Sequence, residues 1–249
     1  MSQPGPARRL VTVPSAQLIV FACAGALLFV GALSYFLYAY LVRFGRPAAP
    51  GPIVQPVLVD LGLFSAFALH HSLLARPRLK ARLHRAVPVT LERSFYTWVA
   101  SALLIATCWW WQPVPGVLYV LPAWATWIGV GLQAAGIVLT FLGSKAIDVL
   151  DLAGVRPALL ARSGKRPAHP PLMTTGVYAV VRHPLYFGWA LLVFGAPTMT
   201  LTRAVFGVIS TAYLAIAIPW EERSLIETFG AGYRDYQQRV RWRMLPGLY

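Results

Sequence analysis

Two short stretches of this 249-residue chain concentrate the side chains able to do charged chemistry. The first reads Arg182-His183-Pro184-Leu185-Tyr186. A basic pair precedes a proline, and proline is favoured at the first position of a helix. Arg182, His183 and Tyr186 then gather round a helix start, whose amides attract anionic or electron-rich groups. The second stretch opens with Glu221-Glu222-Arg223. Two adjacent carboxylates where an apolar helix leaves a bilayer cost free energy unless they are paired or face a cation. Arg182 or Arg223 suits one of them, and a cationic ligand suits the other. The acids are few: Asp60, Glu92, Asp148, Asp151, Glu221, Glu222, Glu227 and Asp235. Most lie in the carboxyl-terminal half, which is where charged chemistry must be done.

Asp60 sits inside an apolar run that also carries His70 and His71. An ionisable group within a span marks a functional position by default. Asp60 and His71 are about three helical turns apart, so they share a face but stand ~16 Å from each other. They read as a polar stripe facing a helix bundle. His70 and His71 diverge by about 100° on a helix and do not suit one metal ion. Cys23 and Cys108 fall in apolar runs and read as small buried hydrophobes, with neither a disulfide framework nor metal-ligand spacing.

These residues must be positioned by membrane helices. The chain is 57% hydrophobic and 12% charged, against about 25% charged in soluble domains. That excludes an ordinary soluble enzyme and a disordered chain. The formal charge is +14. In a chain this apolar, the basic excess belongs to loops beside anionic lipid, with no nucleic acid required. A ~30 Å hydrocarbon core needs ~20 apolar helical residues. Runs at 16–42, 53–75, 95–112 and 123–143 qualify. The first is too long for a signal peptide and reads as a retained span. A fifth region, 184–220, is interrupted at Ala196-Pro197-Thr198 and Arg203 and reads as a helical hairpin with arms of ~14 and ~17 residues.

Loop charges orient the chain. The 76–93 loop holds Arg76, Arg78, Lys80, Arg82, Arg85 and Arg93; the 144–182 loop holds Lys145, Arg156, Arg162, Lys165, Arg166 and Arg182; the tail holds Arg223, Arg234, Arg239, Arg241 and Arg243. The 113–122 connection has none, and the hairpin tip has only Arg203. Basic and poor loops alternate, which puts both termini in the cytoplasm. Leu225, Phe229, Tyr233, Tyr236 and Val240 recur at helical spacing, with Gly230 and Gly232 as local breaks. Trp109, Trp110 and Trp111 read as an aromatic belt. Gly129, Gly131 and Gly136 read as a close-packing face. The expected fold is an all-α integral membrane protein of about six transmembrane helices, the last two a hairpin, with a C-terminal amphipathic cytoplasmic helix. Residues 1–143 form a four-helix transmembrane region. Residues 144–249 carry the cofactor-binding loop, hairpin and C-terminal helix of a single catalytic membrane domain.

Arg-His-Pro-Leu-Tyr at 182–186, followed by Glu-Glu-Arg-x-Leu-x-x-x-Phe-Gly-x-x-Tyr-x-x-Tyr-x-x-x-Val at 221–240, resembles the isoprenylcysteine carboxyl methyltransferase family. That family comprises integral-membrane enzymes that use S-adenosylmethionine. His71-Ser72-Leu-Leu-Ala-Arg76-Pro77, Glu92-Arg93-Ser94-x-Tyr96, Trp111-Gln112-Pro113, Asp151-Leu-x-Gly154-x-Arg156 and Pro197-Thr-Met199-Thr200 resemble its bacterial methanethiol S-methyltransferase branch. Asp148-Val149 and the 163–171 stretch depart from that branch.

The resemblance implies S-adenosylmethionine as cofactor, with His183, Pro184, Tyr186, Glu221 and Glu222 lining its site. It implies catalytic contributions from His183, Arg182 and Arg223, and no metal. A thiol acceptor needs its proton removed, by neutral His183 or by a histidine of the second span. A carboxylate acceptor needs no base but needs an arginine clamp, Arg182 or Arg223. The implied partners are a small-molecule or lipophilic methyl acceptor and membrane lipid, in a bacterial cytoplasmic membrane. Small-thiol S-methylation is the leading reading. A lipid-like acceptor is the alternative, with a transporter or a sterol-reductase-like enzyme further behind. A transporter would carry inverted repeats, and none is visible.

Overall fold

The computed structural model describes residues 15–74, 82, 84, 87–88, 91–144, 151, 154–162 and 171–249. The basic residues Arg76, Arg78, Lys80, Arg85, Lys145, Lys165 and Arg166, together with Asp148-Val149 and 163–170, lie outside the described residues. The apolar runs become helices because a helix satisfies its own backbone where water cannot. Helix α1 (Ser15–Tyr38) continues through a π-helical turn, Ala39–Arg43. Helices α2 (Val54–Leu74) and α3 (Glu92–Trp110) follow. Strand β1 (Val117–Val120) leads into α4 (Ala123–Ser144) and the short α5 (Val155–Arg162). After a 3-10 turn at Gly176–Ala179 come α6 (Pro184–Phe194), β2 (Thr198–Thr200), α7 (Leu201–Phe229) and α8 (Ala231–Arg239). Among the described residues, three helical segments are long and apolar enough to cross a membrane: Ala16–Arg43, Ala123–Ser144 and Leu201–Phe229.

Hydrogen bonds between helix ends show that consecutive long helices alternate in direction along the chain, with α1 and α3 packed parallel. At one end, Arg43 donates to the carbonyls of Cys108, Trp109 and Trp111 at 2.8, 3.0 and 3.0 Å, capping the last turn of α3. Asp60, fully buried, accepts the Gln112 backbone N–H at 2.7 Å there. Arg203 enters from the start of α7 and donates to the carbonyls of Tyr40, Leu41 and Thr198. The opposite end gathers the last turn of α2, the first of α3, the last of α4, the start of α6 and the end of α7. There His70 Nε2 lies 3.4 Å from the Tyr96 carbonyl, and the Tyr178 hydroxyl donates to that of Gly143 at 3.0 Å. Asp60 and His71 therefore belong to opposite ends of one helix. The aromatic core lies between these ends. Phe206 packs against Phe36, Tyr40, Phe44, Phe64 and Trp111 with ring centroids 5.0 to 6.0 Å away.

Several expectations need correction. The fold is mostly helical but not all-α, because β1 pairs antiparallel with β2. Prolines 113, 115 and 122 exclude a helix from that connection, and Val117 and Val120 suit a strand. The hairpin arms are unequal. Helix α6 has 11 residues, a rise of only about 16 Å. Helix α7 has 29 and passes through Pro219 without ending. Proline there frees the carbonyl four residues back, and the Tyr249 hydroxyl donates to that Ala215 carbonyl at 3.2 Å. Only Gly230, at φ +58°, stops α7 and starts α8. Trp109 and Trp110 are exposed as a belt requires, but Trp111 is buried in the core. Cys108 is buried, whereas Cys23 is exposed.

The most extensive helix contact is α4 against α6, made close by glycines. A Cβ on Gly136 would stand 2.5 Å from the Gly188 carbonyl oxygen and 2.6 Å from the Leu192 nitrogen. One on Gly188 would meet Thr140 Oγ1 at 2.5 Å. Gly131 has nothing within 4 Å, so it takes no part. Gly136→Ala is therefore expected to destabilise the protein by about 1–3 kcal/mol through overpacking. Gly131→Ala should be neutral or slightly stabilising. Thermal unfolding of both variants in detergent checks the contrast.

Candidate active site

Among the described residues, the end of the bundle where α6 starts and α7 finishes holds the densest set of charges. Glu222 is its centre. It lies on the inner face of α7, and its side chain is only 5% exposed. A carboxylate buried this deeply must be paired and hydrogen-bonded. Arg182 Nε donates to its Oε1 at 2.6 Å, and Gln237 Nε2 donates to its Oε2 at 3.2 Å. The Tyr233 hydroxyl reaches Oε1 at 3.5 Å, and Arg243 Nε lies 3.4 Å from Oε2.

Arg182 is equally buried and commits most of its guanidinium to structure. Its Nη1 donates to the carbonyls of Val240 and Arg241 at 2.7 and 2.9 Å. The backbone follows the side chain: Arg182 N–H donates to the Trp242 carbonyl at 2.9 Å, and His183 N–H to that of Arg243 at 2.8 Å. The segment before α6 is thus laced to the segment after α8. Pro184 sits at the first position of α6, as its fixed φ favours. The aromatic face of α7 and α8 closes the layer, with Tyr233, Tyr236 and Val240 packed by Leu225, Ile226 and Phe229.

Glu221 is different. Its side chain is 49% exposed. The Tyr186 hydroxyl donates to its Oε1 at 2.7 Å, and His183 Nδ1 lies 3.4 Å from its Oε2. The rings of His183 and Tyr186 stack at 5.3 Å with 11° between their planes. His183 Nε2 lies 3.4 Å from Glu222 Oε1 but without hydrogen-bond alignment. Burial opposes a charge on this imidazole. Glu221 and Glu222 outweigh that and hold its pKa above the ordinary histidine value. His183 thus sits between two carboxylates that favour its protonated form.

The structure brings Arg182, His183, Pro184, Tyr186, Glu221 and Glu222 together. It does not bring in Arg223, which is exposed on the outer face of α7 and joins none of these pairs. Arg243 takes the place beside Glu222 that Arg223 was a candidate to fill. Sequence reading missed Arg243, Gln237 and Tyr233 as partners of Glu222. The only available signal was Gly230, whose turn folds α8 back on α7.

Three membrane-length helices and a polar cluster at the shared end of the bundle define a helical membrane protein with a charged site at one rim. Comparison with known proteins identifies its kind. Residues 120–240 match a family described as a protein of unknown function, DUF1295. Methanethiol S-methyltransferase 2 of Bradyrhizobium diazoefficiens is 35% identical over 77% of this chain and 74% of its own. The Mycobacterium tuberculosis methanethiol S-methyltransferase is 33% identical over 89% of this chain and 93% of its own. A Dictyostelium discoideum protein-S-isoprenylcysteine O-methyltransferase is 34% identical, over 40% of this chain and 43% of its own. No solved structure matches. The chain belongs to the methanethiol S-methyltransferase family, and it is a methyltransferase.

Two outcomes test the cluster. Arg182→Met strands Glu222 in a buried position and is expected to cost about 3–5 kcal/mol, whereas Arg223→Ala should stay within about 0.5 kcal/mol; unfolding in detergent measures both. His183 gives a pH dependence. A raised folded-state pKa means its charge stabilises the fold fully below the unfolded value of about 6.5. That contribution is lost as pH rises through the folded value. The stability gap between wild type and His183→Asn should be widest in mild acid and shrink in alkali.

Proposed function

We propose that this chain transfers a methyl group from S-adenosylmethionine to a small thiol such as methanethiol at a membrane surface. The observation carrying this reading is the division of labour between the two glutamates. Glu222 is consumed by Arg182, Arg243 and Gln237. Glu221 stays half-exposed beside a stacked aromatic pair. A half-exposed carboxylate next to an aromatic face suits a cation, the aromatic contact alone contributing about 0.5–2 kcal/mol. The residues present fit S-adenosylmethionine, which when bound supplies an electrophilic methyl on a sulfonium. Glu221 and Tyr186 would hold its cationic side. Arg243, whose side chain is 37% exposed, would hold its carboxylate. Arg182, His183 and Pro184 fix the geometry of that wall, with Glu222 as their anchor.

The topology supported by the alternating helix directions is about six passes, with both termini on the site side and the short α6 completed by β2. The 1–143 region would then be the transmembrane scaffold. The remainder would be the donor-binding part of one catalytic membrane domain. The relatives named for methanethiol cover most of their length, while the isoprenylcysteine relative covers 40% of this chain. This favours the small thiol over a lipid-like acceptor.

Glu221→Gln removes the charge but keeps the shape. It is expected to weaken S-adenosylmethionine binding at least about tenfold, since a charge-assisted contact contributes about 1.5–3 kcal/mol. Equilibrium binding of methyl-labelled S-adenosylmethionine to purified protein measures this, followed by transfer to methanethiol. Wild-type protein that neither binds the label nor methylates any thiol would overturn the reading.

A further inference from the structure

One half-buried titratable group at this end of the bundle has no part in the cluster just described. His71 lies in the last turn of α2. Its ring centroid is 4.9 Å from that of Phe67 and 5.3 Å from that of Tyr96 at the start of α3. Its Nδ1 is buried without a hydrogen-bond partner. His70 differs, with Nε2 lying 3.4 Å from the Tyr96 carbonyl. Beside them, Ser72 Oγ and the Tyr213 hydroxyl of α7 are 3.2 Å apart, and Tyr213 donates onward to the Ala68 carbonyl at 3.3 Å. Tyr186, at the start of α6, donates to Glu221 at 2.7 Å at this same end of the bundle. That end therefore gathers the last turn of α2, the first turn of α3, the start of α6 and the end of α7.

We propose that His71 is the catalytic residue that takes the proton of the acceptor thiol, in a small subsite walled by Phe67, Tyr96 and Tyr213. This rests on the methyltransferase reading above and names the base that the reading lacks. A buried N–H without a partner is rarer and costlier than an unpartnered acceptor. That assigns the His71 proton to Nε2 and leaves a bare lone pair on Nδ1. A thiol attacks only as thiolate. His183 already faces carboxylates with both ring nitrogens, 3.4 Å from Glu221 and 3.4 Å from Glu222. In the step, the S–H proton passes to His71 Nδ1, and the sulfur pair so freed forms the new S–CH3 bond. The electron pair of the broken methyl–sulfur bond stays on the donor sulfur, which loses its positive charge. One cation disappears at the donor sulfur as the His71 imidazolium forms, so the net charge of the site is unchanged. The aromatic wall also limits acceptor size.

The groups facing His71 are His70 on its own helix, Tyr96 from α3, Tyr213 and Glu221 from α7, and, through Glu221, His183 and Tyr186. The test compares His71→Asn and His71→Gln with wild type, either variant sufficing. Binding of labelled S-adenosylmethionine is read first, and should change less than about twofold. kcat/KM is then measured for ethanethiol and for its more acidic analogue 2,2,2-trifluoroethanethiol, at a pH between their ionisations. Loss of the base should lower the ethanethiol value about 10²–10⁴-fold. The trifluoroethanethiol value should fall far less, because that thiol is already ionised. The ethanethiol rate of the variants should also climb with pH toward the thiol's own ionisation. Equal losses with both thiols, no loss with either, or variants that no longer bind S-adenosylmethionine when wild type does, would each overturn the assignment. Failure of wild type to bind S-adenosylmethionine would instead overturn the methyltransferase reading.

Discussion

A carboxylate cannot be left alone in a protein interior at the edge of a hydrocarbon layer. Desolvating it costs several kcal/mol, and only close, well-made pairing offsets that. Glu222 imposes this constraint on the whole carboxyl-terminal half. Its partners come from three places in the chain: Arg182 before α6, Gln237 on α8, and Arg243 beyond it. Arg182 then bonds the carbonyls of Val240 and Arg241, and the adjoining backbone pairs with Trp242 and Arg243. The start of α6, the end of α7 and the tail are thus held in one register. Glu221, one residue earlier, is turned outward by the same helix and keeps its charge available.

The far end of the bundle solves a matching problem with the opposite sign. Arg203 is buried and draws on the carbonyls of Tyr40, Leu41 and Thr198. The π-helical turn at Ala39–Arg43 presents two of those carbonyls, and the Thr200 hydroxyl takes that of Phe44 at 2.5 Å. Between the two ends, α6 is pressed onto α4 through Gly136 and Gly188. Because α6 is short and tightly seated, its first turn has little freedom to move Tyr186 or His183 away from Glu221. The fold positions the site by fixing α6 at both ends and along one face.

Much of this was legible in the sequence, for physical reasons that differ from residue to residue. Apolar length gave the helices, because hydrocarbon admits little else. The Arg-His-Pro and Glu-Glu stretches met as expected, since an unpaired acid and an unpaired base near a membrane must find each other. The aromatic face from Leu225 to Val240 also formed, though Gly230 splits it between two helices. Arg243 was hidden because tertiary hydrogen bonds place it, and no local period marks it. Arg203 looked like a loop charge, since sequence cannot show that three carbonyls wait for it. Pro219 stood inside an unbroken helix because a hydroxyl thirty residues later on the chain takes up the freed carbonyl. Arg223 looked equivalent to its neighbours in sequence, but helical rotation turned it outward.

The lacing of 182–183 to 240–243 also bears on how the protein is made. A ribosome delivers α6 and the end of α7 before it delivers Val240, Trp242 and Arg243. Until those residues emerge, Glu222 has only part of its set of partners, and Arg182 lacks the carbonyls that hold it. The helices can enter the membrane during synthesis, but the charged cluster closes only afterwards. The cluster is therefore complete only once the tail has been delivered.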